Sequence, residues 1–466
     1  MKNNDNNISR REFLKKLGGS SLAVATVATA CSAKGSKAVA QNVQEPTGEM
    51  TYRQGPRGDK VSILGYGCMR WPTRKESDGS ETIIQEEVNK LVDYAIAHGV
   101  NYFDTAPKYL RGKSEEATAI ALQRHDRSEY YIATKMTNTR APYARQEALD
   151  MYNESFKRLK VDYIDYYLLH TISGARNGLK GSEIFQKRFL DNGILEFLTG
   201  EREKGKIRNL GFSFHGDREV FDYLMEMHEK VHWDFVQIQM NYIDWNQAEG
   251  FGGRNTNASY LYAELDKRGI PVVIMEPLRG GALANLNENS AKKLLERDPQ
   301  SSIASWAFRF CGTFPRVLTA LSGMTYMENL VDNLRTYSPL RPLTEEELAM
   351  LEEIAVDYVN FPLVPCTACQ YCMPCPFGLD IPGIFAHYNK CVNEGNVKND
   401  TQDPDYQKAR RAFLVGYDKS VPKLAQADHC IGCGKCVQQC PQNIPIPRQM
   451  RRIDKYVEKL RSGIED

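Results

Sequence analysis

Eight of the twelve cysteines in this 466-residue chain fall into two short runs near its C-terminal end. Cys366, Cys369, Cys372 and Cys375 precede Pro376; Cys430, Cys433, Cys436 and Cys440 precede Pro441. Three thiolates, each separated from the next by two residues, can converge on one iron–sulfur cubane from a single loop. A fourth, followed by proline and carried into a helix, reaches a neighbouring cubane. The second run keeps the C-x2-C-x2-C-x3-C-P spacing throughout, and the first is one residue shorter before Cys375. The spacing therefore predicts two 4Fe-4S clusters, one on Cys366, Cys369, Cys372 and Cys440, the other on Cys430, Cys433, Cys436 and Cys375. Two structural zinc sites, or disulfides formed in an oxidising compartment, are the competing readings of the same residues. Cys311 and Cys391 carry no spacing argument and read as core.

The elements that precede these runs alternate short β-branched or aromatic stretches with longer helical patterns, the signature of repeated βα units around a parallel sheet. Eight strands are expected: Val61 to Gly65, Tyr102 to Asp104, Tyr130 to Lys135, Ile164 to His170, Asn209 to Phe214, Phe235 to Met240, Pro271 to Glu276 and Val317 to Ser322. Eight such units are the content of a (β/α)8 TIM barrel, here spanning residues 58–345, with a helical two-cluster domain over 346–466. Function gathers at the C-terminal ends of barrel strands. Asp104 closes the second expected strand, Tyr109 lies in the loop after it, Lys135 closes the third and His170 the fourth.

Through Phe103-Asp104-Thr105-Ala106-Pro107-Lys108-Tyr109, Ala133-Thr134-Lys135 and Leu168-Leu169-His170, this region resembles the aldo/keto reductase superfamily. The resemblance implies that Asp104, Tyr109, Lys135 and His170 form a catalytic tetrad acting on a small carbonyl or alcohol. A phenol with a pKa near 10 is a poor acid, and Lys135 beside it is expected to lower that value and make Tyr109 a general acid. Asp104 would hold Lys135 charged, and His170 would orient the carbonyl oxygen. A barrel-mouth ion pair of Asp104 with Lys135, without chemistry, is the bland alternative. The same resemblance implies NAD(P)H as a cofactor: Ser213 and Gln237 on its carboxamide, Pro277, Leu278, Arg279 and Gly280 near its pyrophosphate, and Ser322, Gly323 and Asn333 on its adenosine side. Phe214 stands where the family carries asparagine, and Gly323 and Asn329 stand where it carries bases for a 2′-phosphate, which leaves NAD, NADP and no nucleotide all open. Gly65 to Trp71 is expected to line the same mouth, with Cys68 as apolar core. The cysteine-rich part resembles the helical ferredoxin module of respiratory dehydrogenase subunits, its helix-like stretches being Ile384 to Asn393 and Asp405 to Leu414.

The N-terminal residues read as an address. Ser9-Arg10-Arg11-Glu12-Phe13-Leu14-Lys15 followed by the apolar Leu17 to Ala30 looks like a twin-arginine export signal, with residues 1–40 removed and 41–57 a linker. Ala28-Thr29-Ala30 before Cys31 and Ala38-Val39-Ala40 before Gln41 both offer a small-x-small exit, so the product is either periplasmic or, if Cys31 is lipidated, membrane-anchored. Sixty basic against fifty-nine acidic residues removes the argument for nucleic-acid binding. Two functions remain: an exported oxidoreductase whose barrel works with the clusters and a redox partner protein, or an electron-transfer iron–sulfur protein whose barrel is a scaffold.

Overall fold

The computed structural model describes residues 46, 48–76, 81–176, 178–250 and 255–462; the expected export signal, both expected exits and Cys31 lie outside them. Eight parallel strands, β1 (Leu64–Gly67), β2 (Tyr102–Asp104), β3 (Tyr131–Met136), β4 (Ile164–Ser173), β5 (Ile207–His215), β6 (Phe235–Gln239), β7 (Val272–Met275) and β8 (Val317–Ser322), pair with their neighbours in chain order and close into a barrel. Helices such as Gln85–Ala97 and Arg145–Leu159 run between them.

The first strand differs from the expectation. Lys60–Ser62 pairs antiparallel with Tyr52–Gln54 in a separate hairpin, and β1 starts only at Leu64. Ser62 accounts for the break: its amide is taken by the Asn101 side chain at 2.8 Å and its hydroxyl by the Leu64 carbonyl at 2.7 Å, so the chain bends at Ile63. Val61 is thereby turned into the barrel's lower core with Tyr102, Tyr166, Phe235 and Val273.

The two-residue period of a strand then places the polar groups. Two residues beyond Tyr102 stands Asp104, two beyond Ala133 stands Lys135, two beyond Leu168 stands His170, and two beyond Phe235 stands Gln237. The lower member of each pair belongs to the apolar core of the barrel. The upper member is therefore carried to the C-terminal mouth, the face on which such barrels do chemistry.

After β8 the helix Glu345–Asn360, capped by Thr344 and Glu347, packs back on the barrel through an ion pair of Glu347 with Arg309 at 2.7 Å. The cysteine-bearing region is built from helices Ile381–Asn393, Tyr406–Ser420 and Ile446–Ser462, whose Phe385, Tyr388, Phe413, Tyr417 and Ile453 are buried. Asp380 caps the first by accepting from the Gly383 amide. The described residues belong to one compact unit. Among them no helix is long and apolar enough to cross a membrane.

Candidate active site

The structure brings Asp104, Tyr109, Lys135 and His170 together. The Lys135 Nζ donates to Asp104 Oδ1, and to the Thr105 carbonyl at 2.9 Å, with both charged side chains buried. Burial raises the Asp104 carboxyl and lowers the Lys135 ammonium, while each partner pulls the other back toward its charged form. Lys135 Nζ also lies 5.0 Å from the centre of the Tyr109 ring. That tyrosine is followed by two non-glycine residues in left-handed backbone, Leu110 at φ 49 and Arg111 at φ 56, a conformation that costs about 1 kcal/mol or more per residue. His170 stands where the register between β4 and β5 shifts, which re-aims its ring. Its Nδ1 is 2.8 Å from Thr137 Oγ1, and its ring meets the Tyr109 ring edge-on at 6.0 Å.

One expectation is corrected here. Lys135 does not bring the Tyr109 pKa below its ordinary value; the phenol is raised well above it, first by burial and then by Tyr371 and Asp104. The ammonium charge is directed at Asp104, so the phenol feels desolvation more than it feels the lysine. His170 moves the other way, held well below its usual range by burial and by the surrounding Lys135, His215, Arg188 and Lys108. It is a neutral imidazole at pH 7.

Tyr109 and His170 open on a cavity of about 770 Å³, whose opposite wall is the first cysteine loop: Ala368, Cys369, Gln370 and Tyr371, with Gln439 and Pro441 from the second. Tyr371 was not expected in the site. Its hydroxyl lies 3.5 Å from His170 Nε2 and interacts with the Tyr109 phenol. The sequence signal was an aromatic residue inside a cysteine loop, where only the thiols were read. Arg188 was also missed. It is 4% exposed, lines the cavity, and donates to the carbonyls of Asn138, Thr171 and His170. No carboxylate pairs with it among the described residues, and burial brings it down to about 10. It sits in a helical insertion after β4 whose local pattern marks no function.

The residues expected to face a nucleotide are placed differently. Ser213 and Gln237 are register partners on β5 and β6, both buried, and Ser213 Oγ and Gln237 Oε1 have no hydrogen-bond partner. Arg279 is turned away from any phosphate and forms a buried ion pair with Asp244. Pro277 is buried and Leu278 partly so. Gly280 is met by the backbone of Thr367: a Cβ built on it would stand 2.0 Å from the Thr367 carbonyl oxygen. Gly323 is covered by the Arg70 side chain, and Ser322 is bonded at 2.9 Å to Asn333. The groove does not fit a dinucleotide.

The structure brings the cysteines together in two groups. A small pocket is lined by Cys366, Cys369, Cys372 and Cys440 together with Ile381, Phe385, Ile444 and Ile446. Burial pushes the Cys366 thiol up to about 11, with Cys440 adding to it, and the Cys372 thiol up to about 12, with Cys366 and Cys440 adding. Cys436 is pushed up to about 11 by burial and by Cys375, Cys430 and Cys433. Each run thus gives three thiols to one group and its last thiol to the other. Crowded buried thiols of this kind are relieved when a cationic iron–sulfur core takes their protons' place. All eight are free thiols. Among the described residues no three His, Cys, Asp or Glu close on a point tight enough for a single metal ion, a spacing that a cubane, larger than one ion, does not require.

Comparison with known proteins identifies the two regions. Residues 63–356, more than half of the chain, match the aldo/keto reductase family, and residues 365–444 match a 4Fe-4S dicluster domain. The chain is 25% identical over 321 residues to an uncharacterized oxidoreductase, YqkF, of Bacillus subtilis, covering 63% of this chain and 92% of that protein. It is 36% identical over 119 residues to aldo-keto reductase AKR2E4 of Bombyx mori, covering 24% of this chain and only 35% of that relative. Among solved structures, aldo-keto reductase AKR11C1 of Bacillus halodurans shares 22% identity over 66% of this chain and 96% of its own, with a TM-score of 0.49. The protein is an oxidoreductase that belongs to the aldo/keto reductase family and carries a 4Fe-4S dicluster domain at its C-terminus.

Proposed function

We propose that this protein interconverts a carbonyl and an alcohol on a small anionic substrate held in the cavity between the tetrad and the first cysteine loop. The observation that carries this reading is that Tyr109 and His170 open on a cavity whose charged lining groups, among the described residues, are mainly basic. Arg70, Lys108, Arg111, Lys113, Arg176 and Arg188 face it against one carboxylate, Glu81. A substrate carrying a carboxylate or phosphate offsets the buried Arg188 charge, which no acid among the described residues pairs.

Within that cavity the residues divide the work. Reduction of a carbonyl takes up two electrons and two protons, and Tyr109 delivers the proton that reaches oxygen. Its raised pKa keeps it protonated at neutral pH, and a developing alkoxide is a stronger base than a phenolate, so the transfer runs toward the substrate. Neutral His170 bonds the carbonyl oxygen and orients it, with Thr137 fixing the ring from the far side. Lys135 lies under the phenol and stabilises the phenolate left behind, while Asp104 keeps the ammonium in place. Cys366, Cys369, Cys372 and Cys440 would hold one cluster, and Cys430, Cys433, Cys436 and Cys375 the other. When bound, these supply one-electron transfer, and a redox protein is the partner of that module.

The test is Tyr109→Phe. Turnover falls by about 10²–10⁴-fold while iron content and thermal midpoint stay at wild-type values; unchanged turnover would mean that the barrel is a scaffold for an electron-transfer protein. Export by the twin-arginine route belongs to the same proposal and rests on Arg10 and Arg11, with Cys31 deciding between a periplasmic and a membrane-anchored product. Replacing both arginines by lysine should leave the protein in the cytoplasmic fraction, and an unaltered distribution rules that route out.

A further inference from the structure

In this barrel the turns after β7 and β8 are where the family resemblance puts a dinucleotide's phosphates, and glycine at such a turn serves close approach of something to the backbone. What approaches here is the protein itself. The Thr367 carbonyl lies so near Gly280, at φ +70, that an added Cβ would fall 2.0 Å from its oxygen and 2.5 Å from its carbon. Thr367 is 2% exposed. Arg70 fastens the contact from the other side: its Nη2 donates to the Thr367 carbonyl at 2.8 Å, and its chain lies over Gly323, where a Cβ would come 2.8 Å from Arg70 Cδ. One arginine therefore ties the β8 turn to the cysteine loop.

The charges agree with the packing. Arg279, the cation of the β7 turn, is consumed by Asp244. The remaining ionisable group of that turn is Glu276, partly buried and facing Arg70, the sign that repels a diphosphate. Gln442, two residues after Cys440, forms a mutual amide pair with Gln239 at the end of β6, at 2.8 and 3.3 Å, so the second cysteine run also seals this side.

We infer that the first cysteine loop is the resident occupant of the barrel's dinucleotide groove, and that this chain binds neither NAD(H) nor NADP(H). The same loop, two residues past Cys369, sets Tyr371 against His170. Carbonyl reduction here takes its two electrons singly from a one-electron donor, such as a reduced viologen, two donor molecules each losing one electron. Two protons are taken up with them, and no hydride comes from a nicotinamide. The unpaired Ser213 Oγ and Gln237 Oε1 are what is left of a carboxamide site whose phosphate end is closed.

The experiment uses the full chain, purified anaerobically with its clusters. NADH and NADPH are titrated in, followed by nicotinamide fluorescence and calorimetry, and an acid extract is examined for released nucleotide. No saturable binding up to about 1 mM, the top of the usual range for enzyme substrates, and no nucleotide in the extract are the expected results. Saturable binding below that limit, or stoichiometric nucleotide, overturns the inference. Gly280→Ala adds a second readout, because the new methyl must displace Thr367 and with it Cys366 and Cys369. The electron paramagnetic resonance spectrum of the reduced protein should change although residue 280 ligates nothing; an identical spectrum shows that the loop is not seated there. If Gly280→Ala fails to fold, the wild-type titration still decides. Nucleotide binding alongside an inactive Tyr109→Phe would overturn this inference and leave the proton donor standing; an active Tyr109→Phe without nucleotide binding does the reverse.

Discussion

The two halves of the barrel mouth have kept different things. On the β2 to β4 side, Asp104, Tyr109, Lys135 and His170 stand within reach of one another, two of them opening on a large cavity. On the β6 to β8 side the glycine turns remain, but Thr367, Arg70 and the Gln239–Gln442 pair fill the space those turns leave. Acid–base groups require a fixed geometry and a tuned environment, whereas a groove requires only to be empty. A backbone segment of the right shape can fill a groove without altering a single catalytic side chain. On the reading proposed above, one barrel would keep the acid–base groups of its family while changing the source of its electrons.

The widest separation between the halves should appear when the cysteine loop is released. Cys440→Ser and Cys366→Ser are expected to abolish the same cluster signal, and Cys375→Ser and Cys436→Ser the other, each removing about half of the iron. If Cys440→Ser instead abolished the signal lost in Cys436→Ser, each run would serve its own cluster. Because Thr367 follows Cys366, loss of the first cluster should also loosen the β7 turn, measured as faster amide exchange at residues 279–281, with exchange on β2 to β4 unchanged.

A smaller effect sharpens the tetrad side. Arg188→Lys keeps the charge and loses the planar fork that reaches three carbonyls. For an anionic carbonyl substrate, KM should rise by about 10–100-fold with little change in kcat, and a neutral analogue should show no such rise. Equal losses on both substrates would assign Arg188 to structure alone.

How much of this was legible beforehand follows the same division. The tetrad could be placed because polar residues close consecutive expected strands and the segments at 103–109, 133–135 and 168–170 resemble those of the aldo/keto reductase family. The cysteine grouping could be expected because the ferredoxin spacing sends the last thiol of one run toward the other, although zinc and disulfides remained open from sequence alone. The first barrel strand was misplaced because the Asn101 side chain, from a distant part of the chain, captures Ser62. The pKa of Tyr109 went the wrong way because burial is a property of the whole fold and outweighs one neighbouring lysine. Tyr371 and Thr367 were invisible as site residues because their partners, His170 and Gly280, are many residues away in sequence and no local pattern joins them.

The smallest expected effect lies where the two walls meet. His215, at the end of β5, is pushed down to about 4 by burial, which Asp244 and Gln239 only partly offset. Its unfolded value is about 6.5, so between roughly pH 6.5 and 4 the unfolded chain binds a proton that the folded chain does not. Stability therefore rises with pH across that window, is complete above about 6.5, and is lost as the pH falls toward 4, where it levels off. A shift of this size corresponds to at most about 3 kcal/mol, less after screening by solvent at a partly exposed ring. His170 is also held down, by burial and by the cations around it, and adds to the same decline. Thermal midpoints at pH 7.5 and 5.0 for wild type and His215→Gln test this: the substitution should flatten the decline without removing it. A decline of unchanged slope would place the acid sensitivity on the tetrad wall alone, with His170 as its source.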